Sequence, residues 1–517
     1  MLTRAVRPLA LLSLLVAGCG DEGRLLITIE RPNVKAFDPM MDERLSRFSL
    51  RVIQGRSQSD QETVRTEQTQ LELGSVPVDK DFDLRLVGKS GTGQMLGLGV
   101  VFDVNISGEG DVPVAVKFRK PIGFVAGSHG IEQLDATAST DSAIHSEKPI
   151  AAPNAADVAA SPDGTWIAVV SGSKLLSYLT RDRHNWADVQ LKAPGTCIAV
   201  SPDSRYAVVC HDDGSVSIVD MERLAENQLE IRPVGLGGKP GRVVFGRDRE
   251  LAHVLVNRAG HKEGCSAQSR VVELNVRTAA KGRDVAVGEP VADIAIDPRD
   301  GRVLLVQPCK SRLARLDGTA VQQALGLPSG VHDLALTDQY MVLMRTVTRQ
   351  IPLDPTDPTS EKRTRLDGEA VLVDLNKGTF AAQKKSFLLP LLAVSLTTAN
   401  DEGAMFWAQE TQDFTIYDLT VSPDGQRALF LFDATYSSNT SLAGCSLQAT
   451  MTAEGLVLVD LTVDSVIYWQ MASIEISKCS LCGQDCRLTM QEALQRGLLL
   501  STPQYTPRGA AMLFGGN

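Results

Sequence analysis

A short hairpin unit that recurs along the chain is the feature that most restricts its fold. In the clearest copies, a strand leads through Ser-Pro-Asp into a tight turn and a second strand. These copies span 157–170, 197–210 and 418–432. Pro presets φ for a turn, Asp bonds nearby backbone groups, and Gly accepts positive φ. With the weaker copies, seven first strands are predicted, starting at Asp157, Cys197, Arg242, Asp293, Asp333, Asp418 and Thr502.

A third strand follows several copies and is rich in Val, Ile and Leu. Its clearest examples are the segments 215–220, 270–274, 370–374 and 455–460. Where no insertion intervenes, the copies begin 40 to 51 residues apart, which leaves room for a fourth strand. Four strands per repeat predict the blades of a β-propeller. We predict seven blades, with six or eight as alternatives because residues 388–414 fit no repeat cleanly.

The hairpins resemble the YVTN and WD-type β-propeller repeats, which share the Ser-Pro-Asp-Gly turn. The resemblance covers about 380 residues and implies a propeller, but it specifies no single activity. We expect the ring to close on itself, with a C-terminal hairpin from Thr502 sharing one blade with the segments 122–126 and 131–134. Closure would remove free strand edges that otherwise template aggregation.

Residues 25–120 precede the repeats, which occupy 121–517. Apolar residues alternate with polar ones there, as at Leu25, Ile27 and Ile29, and turn residues separate the runs. This period of two predicts an antiparallel β-sandwich, similar in architecture to immunoglobulin-like or transthyretin-like modules. The predicted fold class is therefore all-β, a sandwich followed by a propeller that is closed by N- and C-terminal strands.

The first residues predict export and lipid attachment. Arg4 and Arg7 precede a short apolar run that ends in Val-Ala-Gly before Cys19. This order is typical of a secretory signal, and its final tetrapeptide resembles the bacterial lipobox. The resemblance implies a signal peptide over 1–18, a lipid-bearing Cys19 and a tether over 19–24. The alternative is an ordinary signal peptide with an incidental cysteine.

Localisation and charge narrow the classes of partner. Gly20 after Cys19 favours the outer membrane, facing either the periplasm or the cell surface, and no later segment has 18 consecutive apolar residues. The chain carries 52 basic and 62 acidic residues. This mild acidity argues against a nucleic-acid surface.

The cysteines other than Cys19 are even in number, which predicts disulfides in an exported protein. Cys197 and Cys210 flank one hairpin, and Cys265 and Cys309 occupy comparable positions in consecutive blades. Cys445, Cys479, Cys482 and Cys486 suit two further disulfides. A zinc site of four thiolates is the alternative for this last group.

The starts of the first strands align four acidic residues, Asp157, Asp293, Asp333 and Asp418. Inner strands line the channel of a propeller, so these carboxylates would meet near one channel mouth and could bind a hard cation such as calcium or a basic group. The favoured interpretation is structural, with each Asp capping the loop before its strand. We therefore predict no cofactor, with calcium as the alternative.

Two functions fit these observations. The favoured one is a non-catalytic envelope protein whose propeller is a rigid scaffold for a protein, peptide or glycan. Its predicted contact regions are insertions at 348–367 and 436–454. The alternative is a propeller enzyme, similar to lactonases or dehydrogenase subunits, with a metal or cofactor at the channel mouth. That enzyme would use the four Asp residues and His332.

Overall fold

The computed structural model describes residues 22–513 apart from internal gaps. These gaps are 32–37, 55–56, 66–68, 78–80, 92–94, 107–110, 129, 136–149, 163, 180–184, 226–227, 247, 260–264, 266–267, 298–299, 337–339, 353–361, 375–381, 389–392, 398–402, 408–409, 423–426, 443–444, 462–464, 482–483 and 486–506. Cys19, Cys482, Cys486 and Thr502 therefore lie outside the described residues.

The first seven strands form a β-sandwich, as predicted. They are β1 (Glu22–Glu30), β2 (Leu45–Gln54), β3 (Ser57–Val64), β4 (Gln70–Pro77), β5 (Phe82–Ser90), β6 (Met95–Val104) and β7 (Asp111–Lys117), with a 3₁₀ turn at Pro39–Met41. One sheet has the order β4-β1-β7, and the other β3-β2-β5-β6. The pairing is antiparallel except between β1 and β7, which run parallel.

The sandwich core is built around two aromatic rings. Phe48 and Phe118 are fully buried, and their ring centroids lie 5.7 Å apart in an edge-to-face arrangement. Gly88 and Gly97 make room for the Phe118 ring, because a Cβ at either position would lie 2.5 Å from its Cζ. The alternating apolar residues read from the sequence, including Leu25 and Ile27, complete this core.

Five sheets of four strands and one of five follow the sandwich, and we number them blades 1 to 6. They contain β10 (Ala155–Ala160), β11 (Trp166–Ser171), β12 (Lys174–Leu179) and β13 (Asn185–Gln190) in blade 1; β14 (Gly195–Val200), β15 (Tyr206–His211), β16 (Ser215–Asp220) and β17 (Ile231–Gly235) in blade 2; β18 (Pro240–Phe245), β19 (Leu251–Val256), β20 (Arg270–Asn275) and β21 (Ala280–Ala286) in blade 3; β22 (Asp293–Ile296), β23 (Val303–Gln307), β24 (Arg312–Asp317) and β25 (Ala320–Gly326) in blade 4; β26 (Val331–Leu336), β27 (Tyr340–Pro352), β28 (Lys362–Asp374) and β29 (Ala382–Leu388) in blade 5; and β32 (Glu410–Val421), β33 (Arg427–Leu442), β34 (Cys445–Asp460), β35 (Ser465–Leu481) and β36 (Gln484–Asp485) in blade 6. A helix α1 (Met221–Ala225) and a 3₁₀ turn (Pro308–Lys310) lie between strands. Among the described residues, no helix is long and apolar enough to span a membrane.

The seventh sheet joins the two ends of the propeller. It has the order β37-β8-β9, in which β37 (Pro507–Leu513) pairs antiparallel with β8 (Ile122–Gly127), and β8 with β9 (Gly130–Asp135). Residues 507–513 of the predicted C-terminal hairpin form one strand, and its start at 502–506 lies outside the described residues. The first strands of successive blades contact one another from β10 to β32, and β37 contacts both β32 and β10. The seven-bladed prediction is thus correct for the described residues.

Consecutive blades are held together by shared apolar clusters. One cluster joins Phe124 and Ile131 of blade 7 to Val158 and Val169 of blade 1. Similar clusters join blades 1 and 2, 2 and 3, 3 and 4, and 4 and 5. Because both faces of a blade are covered in this way, the second strands are continuous apolar runs such as residues 166–170.

The serine of the three Ser-Pro-Asp hairpins accepts a backbone hydrogen bond within its own turn. Ser161 and Ser201 are fully buried, and their hydroxyl oxygens accept N–H bonds from Trp166 and Tyr206, at 3.0 and 2.8 Å. Ser422 does the same with the N–H of Arg427, at 2.9 Å. The repeat therefore keeps Ser at this position for folding, since a buried backbone N–H needs an acceptor.

The two predicted insertions, 348–367 and 436–454, extend the strands beside them in the part of the chain that the structure describes. Residues 348–352 and 362–367 continue the paired strands β27 and β28, and 436–442 and 445–454 continue β33 and β34. These described parts are extended strand because their Thr residues suit extended backbone and the ladder satisfies the peptide groups. Residues 393–407 add a separate two-stranded sheet of β30 (Ala393–Thr397) and β31 (Gly403–Trp407), which explains why they fit no repeat.

Two of the considered cysteine pairs are disulfides. Cys197 pairs with Cys210 across β14 and β15, and Cys265 pairs with Cys309, with Cα separations of 4.9 and 5.8 Å. Cys265–Cys309 links the loops after the second strands of blades 3 and 4. Cys445 and Cys479 lie in β34 and β35, and their partners stay a prediction.

The disulfides generate a paired stability prediction. The bridges span 44 residues in Cys265–Cys309 and 13 in Cys197–Cys210. By loop-closure entropy, replacing both cysteines with Ala lowers the free energy of unfolding by about 4 kcal/mol for the first pair and about 3 kcal/mol for the second. Urea unfolding of the two double variants measures both losses. A longer bridge that contributes nothing would contradict this ordering.

Candidate functional site at the ring centre

The starts of the first strands come together at one end of the ring. In six blades a register shift precedes the aligned position, which is then occupied by Asp157, Cys197, Arg242, Asp333, Asp418 and Gly509. Asp293 holds the corresponding place in blade 4, opposite Val306. Gly509 thus replaces Thr502, because the last first strand begins at Pro507.

The same end of the ring carries the loops between second and third strands. Strand direction alternates within each blade, so a first strand begins where a second strand ends. The long hairpins β27–β28 and β33–β34 and the Cys265–Cys309 bridge therefore lie on this side. We call it the hairpin face.

A cavity of about 290 Å³ opens among the first-strand starts. Its wall contains two carboxylates and two guanidinium groups, those of Asp157, Asp418, Arg242 and Arg258. Thr196, Tyr417 and Thr420 are the other polar residues of the wall. Asp293 and Asp333 stand outside this lining and are almost fully buried.

The aspartates join neighbouring blades. One oxygen of Asp157 accepts the N–H of Val158 at 2.8 Å, and the other accepts the N–H of Ile198 in blade 2 at 2.9 Å. Asp293 repeats this arrangement with Ile294 at 2.9 Å and Leu334 in blade 5 at 3.2 Å. These bonds reach the next blade and not the preceding loop, so the structural role differs from the cap predicted from the sequence.

Arg242 crosses the channel between carboxylates. Its Nε lies 3.5 Å from Asp293 Oδ1, and its Nη1 donates to Asp418 Oδ1 at 3.3 Å. Asp293 first, and Asp418 after it, raise the pKa of Arg242 further above its ordinary value. The residue that interrupts the acidic alignment in the sequence is therefore the cation that balances it.

Arg258 is a member of the site that sequence reasoning missed. It follows β19, and its Nη2 donates to Asp333 Oδ1 at 2.8 Å while its Nε donates to the Ala292 carbonyl at 2.6 Å. The available signal was a basic residue directly after a second strand, at the end of the ring where the aspartates begin. His332 does not line the cavity.

Burial raises the pKa of two of the carboxylates, Asp157 and Asp293. Desolvation, and then the charge of Asp418, raise the pKa of Asp157 to about 7, against the bonds from Ile198 and Val158. Burial also raises the pKa of Asp293, while Arg242 and Arg258 oppose the shift. Among the described residues, no three His, Cys, Asp or Glu side chains are arranged to hold a metal ion. The carboxylates here are engaged instead by peptide N–H groups and guanidinium groups.

Removing the guanidinium of Arg242 leaves Asp293 and Asp418 without their shared cation. We expect Arg242→Met to lower the free energy of unfolding at pH 8 by about 3–5 kcal/mol, the usual cost of breaking a buried ion pair. Urea unfolding measures it. Arg277→Met is the control, since that exposed arginine pairs with Glu250 at the surface and should cost no more than about 1 kcal/mol. Equal losses in the two variants would contradict the assignment.

The raised pKa of Asp157 predicts a pH dependence of stability. An unfolded Asp titrates near 4, so between about pH 4 and pH 7 the folded chain holds the proton more tightly. Stability is then lost as the pH rises through that window. Asp157→Asn should flatten the fall of Tm between pH 5 and 8, while the surface variant Asp188→Asn should leave it as in the wild type. An unchanged slope in Asp157→Asn would count against the shift.

One family model matches a repeat within the observed blades. The family model "WD domain, G-beta repeat" matches residues 190–220, which include the first three strands of blade 2. No curated protein matches the chain by sequence. Kuenenia stuttgartiensis hydrazine synthase is similar at 17% identity, with a TM-score of 0.37 over 55% of this chain and 77% of that one. Dihydro-heme d1 dehydrogenase NirN in complex with DHE is similar at 15% identity, with a TM-score of 0.39 over 70% and 75%. With its ring of blades and one repeat that matches a WD model, the described part of the chain contains a β-propeller similar to the WD type.

Proposed function

We propose that the chain is a non-catalytic envelope protein whose propeller binds a protein, peptide or glycan through the hairpin face. The supporting observation is that one side of the ring carries both long hairpins, the inter-blade disulfide and the central cavity. Binding surfaces on repeat scaffolds concentrate where loops are elaborated on one face.

The role of the central charges supports a scaffold. Asp157 and Asp293 each bond to a neighbouring blade, and Arg242 joins Asp293 to Asp418 across the channel. These contacts hold the first strands in a fixed arrangement next to the loops of the hairpin face. A preorganised surface of this kind lowers the entropic cost of binding.

The position of the protein in the cell is part of the same proposal. We propose that Cys19 bears lipid and that residues 19–24 tether the sandwich to a membrane, in keeping with the lipobox resemblance. The outer membrane is the proposed site, and the propeller then faces a partner near that membrane.

Site-specific photo-crosslinking in intact cells tests the proposed face. A photoreactive residue replaces Thr348, which is exposed on the β27–β28 hairpin, or Thr319, which is exposed in the turn at the opposite side of blade 4. We expect light-dependent adducts of defined mass from position 348 and none from position 319. Adducts confined to position 319 would overturn the choice of face.

The same cells test the anchor. Cys19→Ala should move the protein out of the membrane fraction, because no acyl chain can then be attached. A variant that stays fully membrane-bound contradicts lipid anchoring but leaves the crosslinking result unaffected.

A further inference from the structure

Asp157 and Asp293 are matched positions that differ in their charged neighbours. Each gives one oxygen to the N–H of its own next residue and the other to an N–H of the following blade. Asp293 additionally has the guanidinium of Arg242 at 3.5 Å. Within the described part of the chain, Asp157 forms no ion pair.

Where Asp293 has the guanidinium of Arg242, Asp157 has the cavity beside it. Asp157 and Asp418 are the two carboxylates on its wall, whereas Asp293 lies outside it. A sphere of 290 Å³ is about 8 Å across, which admits an alkyl ammonium or guanidinium head with a short stem. The chain therefore has a guanidinium against one of the matched carboxylates and an open space against the other.

The charges around the cavity favour a cation over an anion. Arg242 and Arg258 are on the wall, but each already contacts a buried carboxylate, Asp293 and Asp333 respectively. Four carboxylates against two guanidinium groups leave a formal charge of −2 when all are ionised. A ligand cation reduces that excess, and a ligand anion enlarges it.

We propose that this cavity binds the primary ammonium or guanidinium group of a ligand, held by Asp157 with Asp418 beside it. The inference rests on the proposed function, because it names the chemical group recognised at the centre of the hairpin face. Two sources carry that group, a free small amine and a Lys or Arg side chain of a polypeptide partner. Calcium fits less well, since it takes six to eight oxygen ligands and two guanidinium groups share this wall.

The pH behaviour follows from the same groups. Asp418 on β32 repels the Asp157 carboxylate, Arg242 on β18 attracts it, and the N–H groups of Val158 and Ile198 bond to it. With its pKa raised to about 7, Asp157 is more fully ionised at pH 8 than at pH 6. Affinity for the cation should accordingly rise between these two pH values.

Calorimetric titration of the full-length protein with defined probes tests the proposal. Agmatine represents the free amine, and acetyl-Gly-Arg-Gly-amide represents the side chain, with acetyl-Gly-Leu-Gly-amide as the neutral control. We expect one or both cationic probes to bind at pH 8 and about tenfold more weakly at pH 6, and the neutral peptide not to bind. Binding of agmatine alone identifies a free amine, and stronger binding of the peptide identifies a basic side chain.

Two variants locate the binding. Asp157→Asn should weaken the cationic probes at least tenfold, while Asp188→Asn, which removes a surface carboxylate paired with Lys174, should not. Thr196→Arg adds the chain's own guanidinium at an exposed wall position and should abolish probe binding even if Asp157→Asn folds poorly. Wild-type affinity in Thr196→Arg, binding of neither cationic probe, or equal binding of the neutral peptide would overturn the inference.

The outcomes remain separable from those of the proposed function. Crosslinks from position 348 that persist unchanged in cells carrying Asp157→Asn, together with no probe binding, reject the cation site and leave the hairpin face in place. Probe binding without any crosslinks from position 348 supports the cation site and rejects the hairpin face as the partner surface. Calcium that displaces the bound probe at equimolar concentration would replace the organic cation with a metal.

Discussion

The bond between neighbouring first strands is the interaction on which the centre of this propeller depends. First strands in a propeller do not share a continuous ladder, so their peptide groups at the channel need other partners. Asp157 and Asp293 supply them, each bonding to its own strand and to the strand of the next blade. A carboxylate suits this role because its two oxygens accept from two strands at once. Apolar clusters between the blades then add the non-directional part of the stability.

Carboxylates that lie close together in a channel repel one another, and arginines of the same ring offset this repulsion. Arg242 lies between Asp293 and Asp418, and Arg258 contacts Asp333. Among the described residues, Asp157 has hydrogen bonds only from peptide N–H groups and no ion pair, and its pKa is raised by burial and by Asp418. The two guanidinium groups contact Asp293, Asp333 and Asp418, and these contacts stabilise the ring. Neither forms an ion pair with Asp157, which lies on the wall of the cavity. A perturbed carboxylate beside a cavity is the usual mark of a binding position.

The antiparallel order of the blades connects this centre to the periphery. Because first strands begin where second strands end, the loops after the second strands surround the channel mouth that the aspartates line. The chain has elaborated that side with the β27–β28 and β33–β34 hairpins and has linked blades 3 and 4 there through Cys265–Cys309. The long hairpins, the inter-blade disulfide and the charged cavity therefore all lie on the hairpin face.

The sequence by itself determined the all-β class, the sandwich followed by blades, the seven-fold count and the alignment of Asp157, Asp293, Asp333 and Asp418. These features are local or periodic: Ser-Pro-Asp turns, alternation of apolar residues and regular spacing carry them. The pairing of Cys197 with Cys210 was equally accessible, since one hairpin brings them together. Only the tertiary structure decided which carboxylate receives a guanidinium, because Arg242 and Asp418 are 176 residues apart and meet across the channel. It also decided that the described parts of the insertions 348–367 and 436–454 are paired strand, and that Gly509 occupies the aligned position predicted for Thr502. Contacts between segments that are distant in sequence depend on how the ring closes, and no local sequence pattern specifies which residues then meet.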